Sequence, residues 1–209
     1  MQNIFIHGLG QKPSSWDKII SLMPEPAHSV CPDLFALMNG KATNYTNLYR
    51  SFADYCNNMS APLNLCGLSL GGVLALNYAV DYPDKVQSLV LIAAQYKMPK
   101  ILLKLQNIIF KVMPKSVFIK MGFQKKDFIA LTKSMTELNF NDKLKDISCA
   151  AVIICGEKDG ANKKAAIGLS KKISSAELHF IENAGHEVNV NSPDILADIL
   201  LSFCQKKEI

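Results

Sequence analysis

Three side chains able to do covalent chemistry stand in glycine-marked turns far apart in the sequence. They are Ser69 in Gly67-Leu68-Ser69-Leu70-Gly71, Asp159 in Gly156-Glu157-Lys158-Asp159-Gly160, and His186 in Ala184-Gly185-His186-Glu187. A serine hydroxyl is a weak nucleophile at neutral pH. It attacks a carbonyl when an imidazole takes its proton, and a carboxylate fixes the imidazole tautomer and stabilises the imidazolium. The set therefore points to acyl transfer through serine. Taken alone, the first turn has a blander reading, a glycine-rich corner with a surface serine; the two companions, each on its own loop, argue for chemistry.

The serine turn dictates its own surroundings. Leu63, Leu65 and Cys66 form a short apolar run that ends in glycine, and Val73, Leu74, Leu76 and Tyr78 start a helical pattern at once. A serine at the apex of so tight a strand-to-helix turn is held in a strained backbone, and the flanking glycines let neighbouring backbones approach closely. Its hydroxyl is pushed out beside the free N–H groups and positive dipole end of the helix, where an oxyanion is stabilised.

Such turns need strands to carry them. Strands are expected over Asn3 to His7, running into His7-Gly8-Leu9-Gly10, and over His28 to Pro32, Leu63 to Cys66, Ser88 to Ala94, Ala151 to Cys155 and Glu177 to Ile181. The fourth is apolar on both faces, which implies helices covering both sides of a parallel sheet. Helices are expected after Pro13-Ser14, with Trp16 inward, and from Tyr45 behind an Asn44 cap until Pro62 stops it. Others follow Ser69, span Ala161 to Ile173, and start at Pro193 behind a Ser192 cap. Repeated strand-helix units predict a doubly wound α/β fold of about six mainly parallel strands.

Residues 95–145 break that rhythm and divide a core domain of residues 1–94 and 146–209. They are rich in Leu, Ile, Phe, Met and Lys, and Pro99, Pro114 and Gly122 punctuate two to four short helices. Leaving the carboxyl edge of the sheet, this insertion reads as a lid with an apolar inner face for an acyl group, or equally as helices completing the core. Contact with an anionic membrane surface is a third, less favoured reading.

Composition narrows the classes. A chain of 209 residues, about half hydrophobic, is long enough for one large core. The six cysteines include no C-x-x-C pair, so a zinc site and a disulfide framework are not expected, and the thiols read as reduced. A net charge of +5 is spread along the chain without a nucleic-acid motif. Met1 to His7 does not read as a signal peptide and no apolar stretch is long enough to span a bilayer, so a cytoplasmic location is expected.

With the residues in hand, the chain resembles α/β-hydrolase-fold enzymes, specifically small serine esterases and lipase-like hydrolases. The likeness rests on His7-Gly8-Leu9-Gly10, Gly67-Leu68-Ser69-Leu70-Gly71-Gly72, Gly156-Glu157-Lys158-Asp159 and Ala184-Gly185-His186, in that family's chain order. It implies a triad of Ser69, Asp159 and His186 and an oxyanion hole made by the backbone N–H groups of Leu9 and Leu70, with no metal or organic cofactor. Some members carry the acid after the preceding strand, where this chain reads Ala94-Gln95-Tyr96. Glu157 competes with Asp159 for the acid, and Asp159 is favoured. His7 and Trp16 are expected to shape and brace the first loop, Asp33 to cap a loop, and Cys66 to pack. His28 and His179 are expected to be structural or exposed.

The expected activity is hydrolysis of a carboxylic ester or related acyl compound, with a hydrophobic small-molecule substrate expected, by a monomer or homodimer. A lyase or carbon-carbon hydrolase using the same triad is the alternative enzyme, and a ligand-binding or signalling protein on this scaffold is the alternative from another class. Most relatives carry a hairpin of strands before the His-Gly strand; here that strand is expected to start at residue 3, and a shorter sheet is expected with it.

Overall fold

A computed structural model describes residues 1–60, 62–120 and 124–205. In chain order the elements are β1 (Gln2–Ile6), α1 (Asp17–Leu22), β2 (Ser29–Val30), α2 (Tyr45–Asn57), β3 (Leu63–Leu68), α3 (Leu70–Asp81) and β4 (Val86–Ile92). Then follow α4 (Lys100–Val112), α5 (Lys115–Lys120), α6 (Lys125–Ser134), β5 (Ala150–Gly156), α7 (Gly160–Lys172), β6 (Ala176–Ile181), α8 (Val188–Asn191) and α9 (Pro193–Gln205). Expected strands and helices are present with small shifts at their ends. The exception is β2, where only two residues pair with β1.

The six strands are parallel and ordered β2-β1-β3-β4-β5-β6. Because strand side chains alternate, each central strand feeds two cores. Leu65, Leu89, Leu91, Ile153 and Cys155 face α2, α3 and α7, whereas Cys66, Val90, Ile92, Val152 and Ile154 face Trp16, Ile19 and the apolar stripe of α9. The Asn44 side chain caps α2 by accepting from the Asn47 N–H at 2.9 Å. The order of connection reverses between β1 and β3, since β1 is followed by its outer neighbour β2 and β3 then continues on the other side. In open α/β sheets the crevice at the carboxyl ends of such a strand pair is where ligands bind.

Polar side chains tie the amino end of the sheet. Asn3 Nδ2 donates to Ser29 Oγ (3.2 Å), Asn64 Nδ2 to Asn3 Oδ1 (2.9 Å), and Ser88 Oγ to Asn64 Oδ1 (2.7 Å), one rung per strand across β2-β1-β3-β4.

Between β4 and β5 the chain leaves the sheet for α4, α5 and α6. The two ends of this excursion are zipped at its neck by the antiparallel bridge Lys97↔Asn139, with Met98 N–H on Leu138 O (3.0 Å) and Phe140 N–H on Tyr96 O (2.7 Å). Phe110, Phe118 and Phe128 meet edge to face, ring centroids 4.9 to 6.0 Å apart, as a small aromatic core between the helices. Leu131 of α6 and Met135 just after it instead join the main core. Gly122, expected as helix punctuation, lies outside the described residues. Among the described residues no helix is long and apolar enough to cross a membrane.

Candidate active site

Ser69 stands between β3 and α3 with φ 54° and ψ −112°, a left-handed backbone that side-chain-bearing residues rarely adopt. Two glycines make the corner possible. A Cβ on Gly67 would sit 2.3 Å from the Gly71 carbonyl oxygen, and one on Gly71 would sit 2.1 Å from the Ile6 carbonyl oxygen. The start of α3 is thus pressed against both its own strand and the end of β1. Ser69 N–H donates to Ile92 O at 2.8 Å, extending the sheet ladder into the turn. Among the described residues, three of the four non-glycine positions with positive φ, Ser69, Ala93 and Asn183, follow strand ends on this one edge.

The loop after β1 lies beside that corner. His7 is buried, its Nε2 accepting the Leu34 N–H (3.2 Å), so its proton sits on Nδ1 and donates to Gly8 O (2.9 Å). This is the structural role expected of it, and burial pulls its pKa down against the raising effects of that bond and of Asp33. Asp33 Oδ1 caps a turn by accepting the N–H groups of Phe35 and Ala36, and Trp16 packs on Phe5 beneath the loop. Among the described residues neither the Leu9 nor the Leu70 N–H donates a hydrogen bond.

Asp159 and His186 are brought together from 27 residues apart. The imidazole Nδ1 lies 2.7 Å from Asp159 Oδ2; the carboxylate side chain is 5% exposed and the imidazole 43%. Their loops are stitched to each other, with Glu157 N–H on Ile181 O (2.9 Å) and Lys158 N–H on Ala184 O (2.8 Å). Glu157 takes a different place from Asp159. Its Oε2 accepts the Asn183 N–H at 3.0 Å and braces the turn that presents His186. Burial raises the Asp159 carboxyl, but hydrogen bonds from His186 and Asn162 outweigh it, so its pKa is held below the usual carboxylate range. Burial also pushes the Cys66 thiol well up and the Cys155 thiol to about 11, which leaves neither as a nucleophile.

The Ser69 hydroxyl and the His186 ring are not hydrogen-bonded to each other among the described residues. The loop after β1 is joined to the His186 loop by Gln11, which carries no motif signal in the sequence. Its Oε1 accepts the Gly8 N–H (3.2 Å), and its Nε2 donates to Glu187 Oε1 and Asn189 Oδ1 (both 3.1 Å). Asn162 carries no motif signal either, although its place three residues after Asp159 at a helix start puts both on one face. A cavity of about 250 Å³ opens elsewhere, at the amino end of the sheet between Asn3, Phe5, Cys66 and Phe203. Among the described residues no cluster of three or more His, Cys, Asp or Glu is arranged to hold a metal ion.

A serine on a strained strand-to-helix corner, at the reversal point of a parallel α/β sheet, has a counterpart in sequence comparison. The sequence model of the alpha/beta hydrolase family matches residues 4–199. The chain belongs to that family. This α/β-hydrolase is 21% identical over 249 aligned residues to the monoacylglycerol lipase ABHD6 of Homo sapiens, covering 96% of this chain and 74% of that protein. It is 23% identical to a putative 2-succinyl-6-hydroxy-2,4-cyclohexadiene-1-carboxylate synthase of Bacillus subtilis (strain 168), covering 96% and 89%. Among solved structures, the fold is shared with one from work on carboxylesterases of Nitrososphaera gargenis (TM-score 0.83, 17% identity, 100% and 92% covered). It is shared also with MenH from S. aureus (TM-score 0.80, 15% identity, 100% and 95% covered). Esterase- and lipase-like hydrolases are therefore among this α/β-hydrolase's relatives.

Proposed function

We propose that this α/β-hydrolase is a serine hydrolase of carboxylic esters or related acyl compounds that works through an acyl-enzyme on Ser69. The observation that carries the reading is the 2.7 Å approach of His186 Nδ1 to a buried Asp159, on the same sheet edge as the strained Ser69 corner. With Nδ1–H donated to the carboxylate, the imidazole lone pair is on Nε2, which takes the Ser69 proton as the hydroxyl attacks the substrate carbonyl. In this reading the Ser69–His186 hydrogen bond forms in the substrate complex, as such bonds are often long or poorly aligned in the free enzyme. The N–H groups of Leu9 and Leu70 stabilise the tetrahedral oxyanion. His186 then protonates the leaving alcohol and activates the water that frees Ser69.

Residues 95–145 serve as a lid in this reading, and the likeness to a monoacylglycerol lipase supports an ester with an apolar acyl chain. The test is a panel of p-nitrophenyl esters of increasing acyl length, run beside Ser69→Ala. The wild type is expected to hydrolyse the panel with a preference for longer chains, and Ser69→Ala to lose on the order of 10⁴ to 10⁶ in kcat. Full activity in a folded Ser69→Ala protein would sink the mechanism.

One observation favours a second reading: the likeness to the synthase, over nearly the whole of both chains. A lyase or carbon-carbon hydrolase would use Ser69 and His186 as a base without acyl-enzyme. Labelling of Ser69 by a fluorophosphonate, with no pre-steady-state burst on any ester, is the outcome that would select it.

A further inference from the structure

We propose that Asn162, oriented by Gln95, is a positioning residue that fixes the Asp159 carboxylate against His186; the role rests on the hydrolase reading above. Four hydrogen bonds set a single polarity along the chain Gln95, Asn162, Asp159, His186. It starts at the Ala161 carbonyl, which can only accept, so Gln95 must present Nε2 to it (3.2 Å). The same Nε2 donates to Asn162 Oδ1 at 2.8 Å, which turns the Asn162 amide so that Nδ2 faces Asp159. Nδ2 lies 2.9 Å from each carboxylate oxygen.

That geometry decides what the histidine does. Asn162 Nδ2 is also 3.3 Å from His186 Nδ1, but it carries two hydrogens and no lone pair. The two nitrogens converge on one carboxylate as donors. That arrangement suits an ionised Asp159 and, in the neutral imidazole, places the ring proton on Nδ1 and the lone pair on Nε2. Both acceptor and donor are out of water, Asn162 at 8% exposure and Asp159 at 7%. The backbone supports the arrangement from two elements. Asn162 N–H donates to Asp159 O at 3.1 Å in the first turn of α7, and Gln95 follows the positive-φ turn at Ala93 that ends β4. Among the described residues Gln95 is linked to the carboxylate through Asn162.

The experiment compares wild type with Asn162→Leu, Asn162→Asp, Gln95→Leu and the double Gln95→Leu/Asn162→Leu protein on the best ester of the panel, across pH. Losing a hydrogen bond to a charged group should lower kcat of Asn162→Leu ten- to a hundredfold (roughly), with KM within about twofold. Asn162→Asp adds a carboxylate beside the imidazole and should move the ascending limb of the pH profile up by about one unit. Gln95→Leu should lose less, and the double variant no more than Asn162→Leu alone, because the two act in series. Losses that multiply, or an Asn162→Leu protein within about twofold of wild type, overturn the proposal. If Asn162→Leu fails to fold, the pH limb of the nearly isosteric Asn162→Asp decides. If the wild type turns over no ester, the hydrolase reading falls by itself, and the His186 ring still reports on the positioning role. Its ¹⁵N shifts at neutral pH, assigned with His186→Gln, should show the proton on Nδ1 in wild type and a mixture of tautomers in Asn162→Leu or Asn162→Asp. The same tautomer in all of them overturns the proposal.

Discussion

Asp159 carries a consequence for stability as well as for chemistry. Its carboxyl is raised by burial but lowered more by its bonds to His186 and Asn162, so the folded protein binds its proton less readily than the unfolded chain does. A group depressed in this way stabilises the fold fully above its unfolded value of 3.8, and that contribution is lost as pH falls through the lower folded value. Asp159→Asn should therefore melt below wild type at pH 7, and the gap should narrow on acidification below about pH 4. Thermal melts of both proteins at the two pH values check this, and a gap that widens in acid would contradict it. Residue types and glycine spacing marked Ser69, Asp159 and His186 as candidates in the sequence, along with the structural parts expected of His7 and Asp33. Gln11, Gln95 and Asn162 were not legible, for a physical reason. Amide side chains have no fixed spacing in a motif, and their roles depend on loops that meet only in the folded edge; Asn162 alone left a trace, through its helical offset from Asp159.

At the scale of elements, the serine corner depends on backbone meeting backbone. A methyl group on Gly71 would lie 2.1 Å from the carbonyl of Ile6 and 2.9 Å from that of His7, neither of which can swing aside as a side chain can. Gly71→Ala should cost about 3 kcal/mol or more in urea denaturation. Gly160→Ala, at the start of α7 with nothing within 4 Å of the added carbon, should be neutral or slightly stabilising in the same assay. Equal losses at both positions would contradict the packing account. The elements themselves were largely legible, because apolar periodicity separates strands such as Val86–Ile92 from helices such as Tyr45–Asn57. The run at His28 to Pro32 misled in length. Two residues pair with β1, His28 ends a 3-10 turn before them, and Cys31 and Pro32 lead into the loop whose Leu34 N–H donates to His7 Nε2. Residues 95–145 were legible as helices but not in their arrangement, since the spacing of Phe110, Phe118 and Phe128 does not reveal that their rings meet between three helices.

For the whole molecule, one sheet serves two cores, and neither can dissolve without exposing strands that the other needs. Unfolding should accordingly be a single transition. Trp16, the only tryptophan, is fully buried in the core beneath α1 and α9, so its fluorescence reports that face. The helices of the opposite face dominate with α9 the far-ultraviolet circular dichroism. The two signals should trace one melting curve, and a fluorescence change that runs ahead of the helical signal would show that the cores come apart separately.

The rungs Ser29, Asn3, Asn64 and Ser88 lie at the far end of the sheet from Ser69, yet they act as its alignment pin. From its rung, each of three neighbouring strands runs the same number of residues before it turns: Asn3 to Gly8, Asn64 to Ser69, Ser88 to Ala93. Sliding any one strand by a single position would set an amide against a hydrocarbon neighbour at one end and throw its turn out of line at the other. A handful of polar atoms thus keeps three corners level with one another from a distance, without touching any of them.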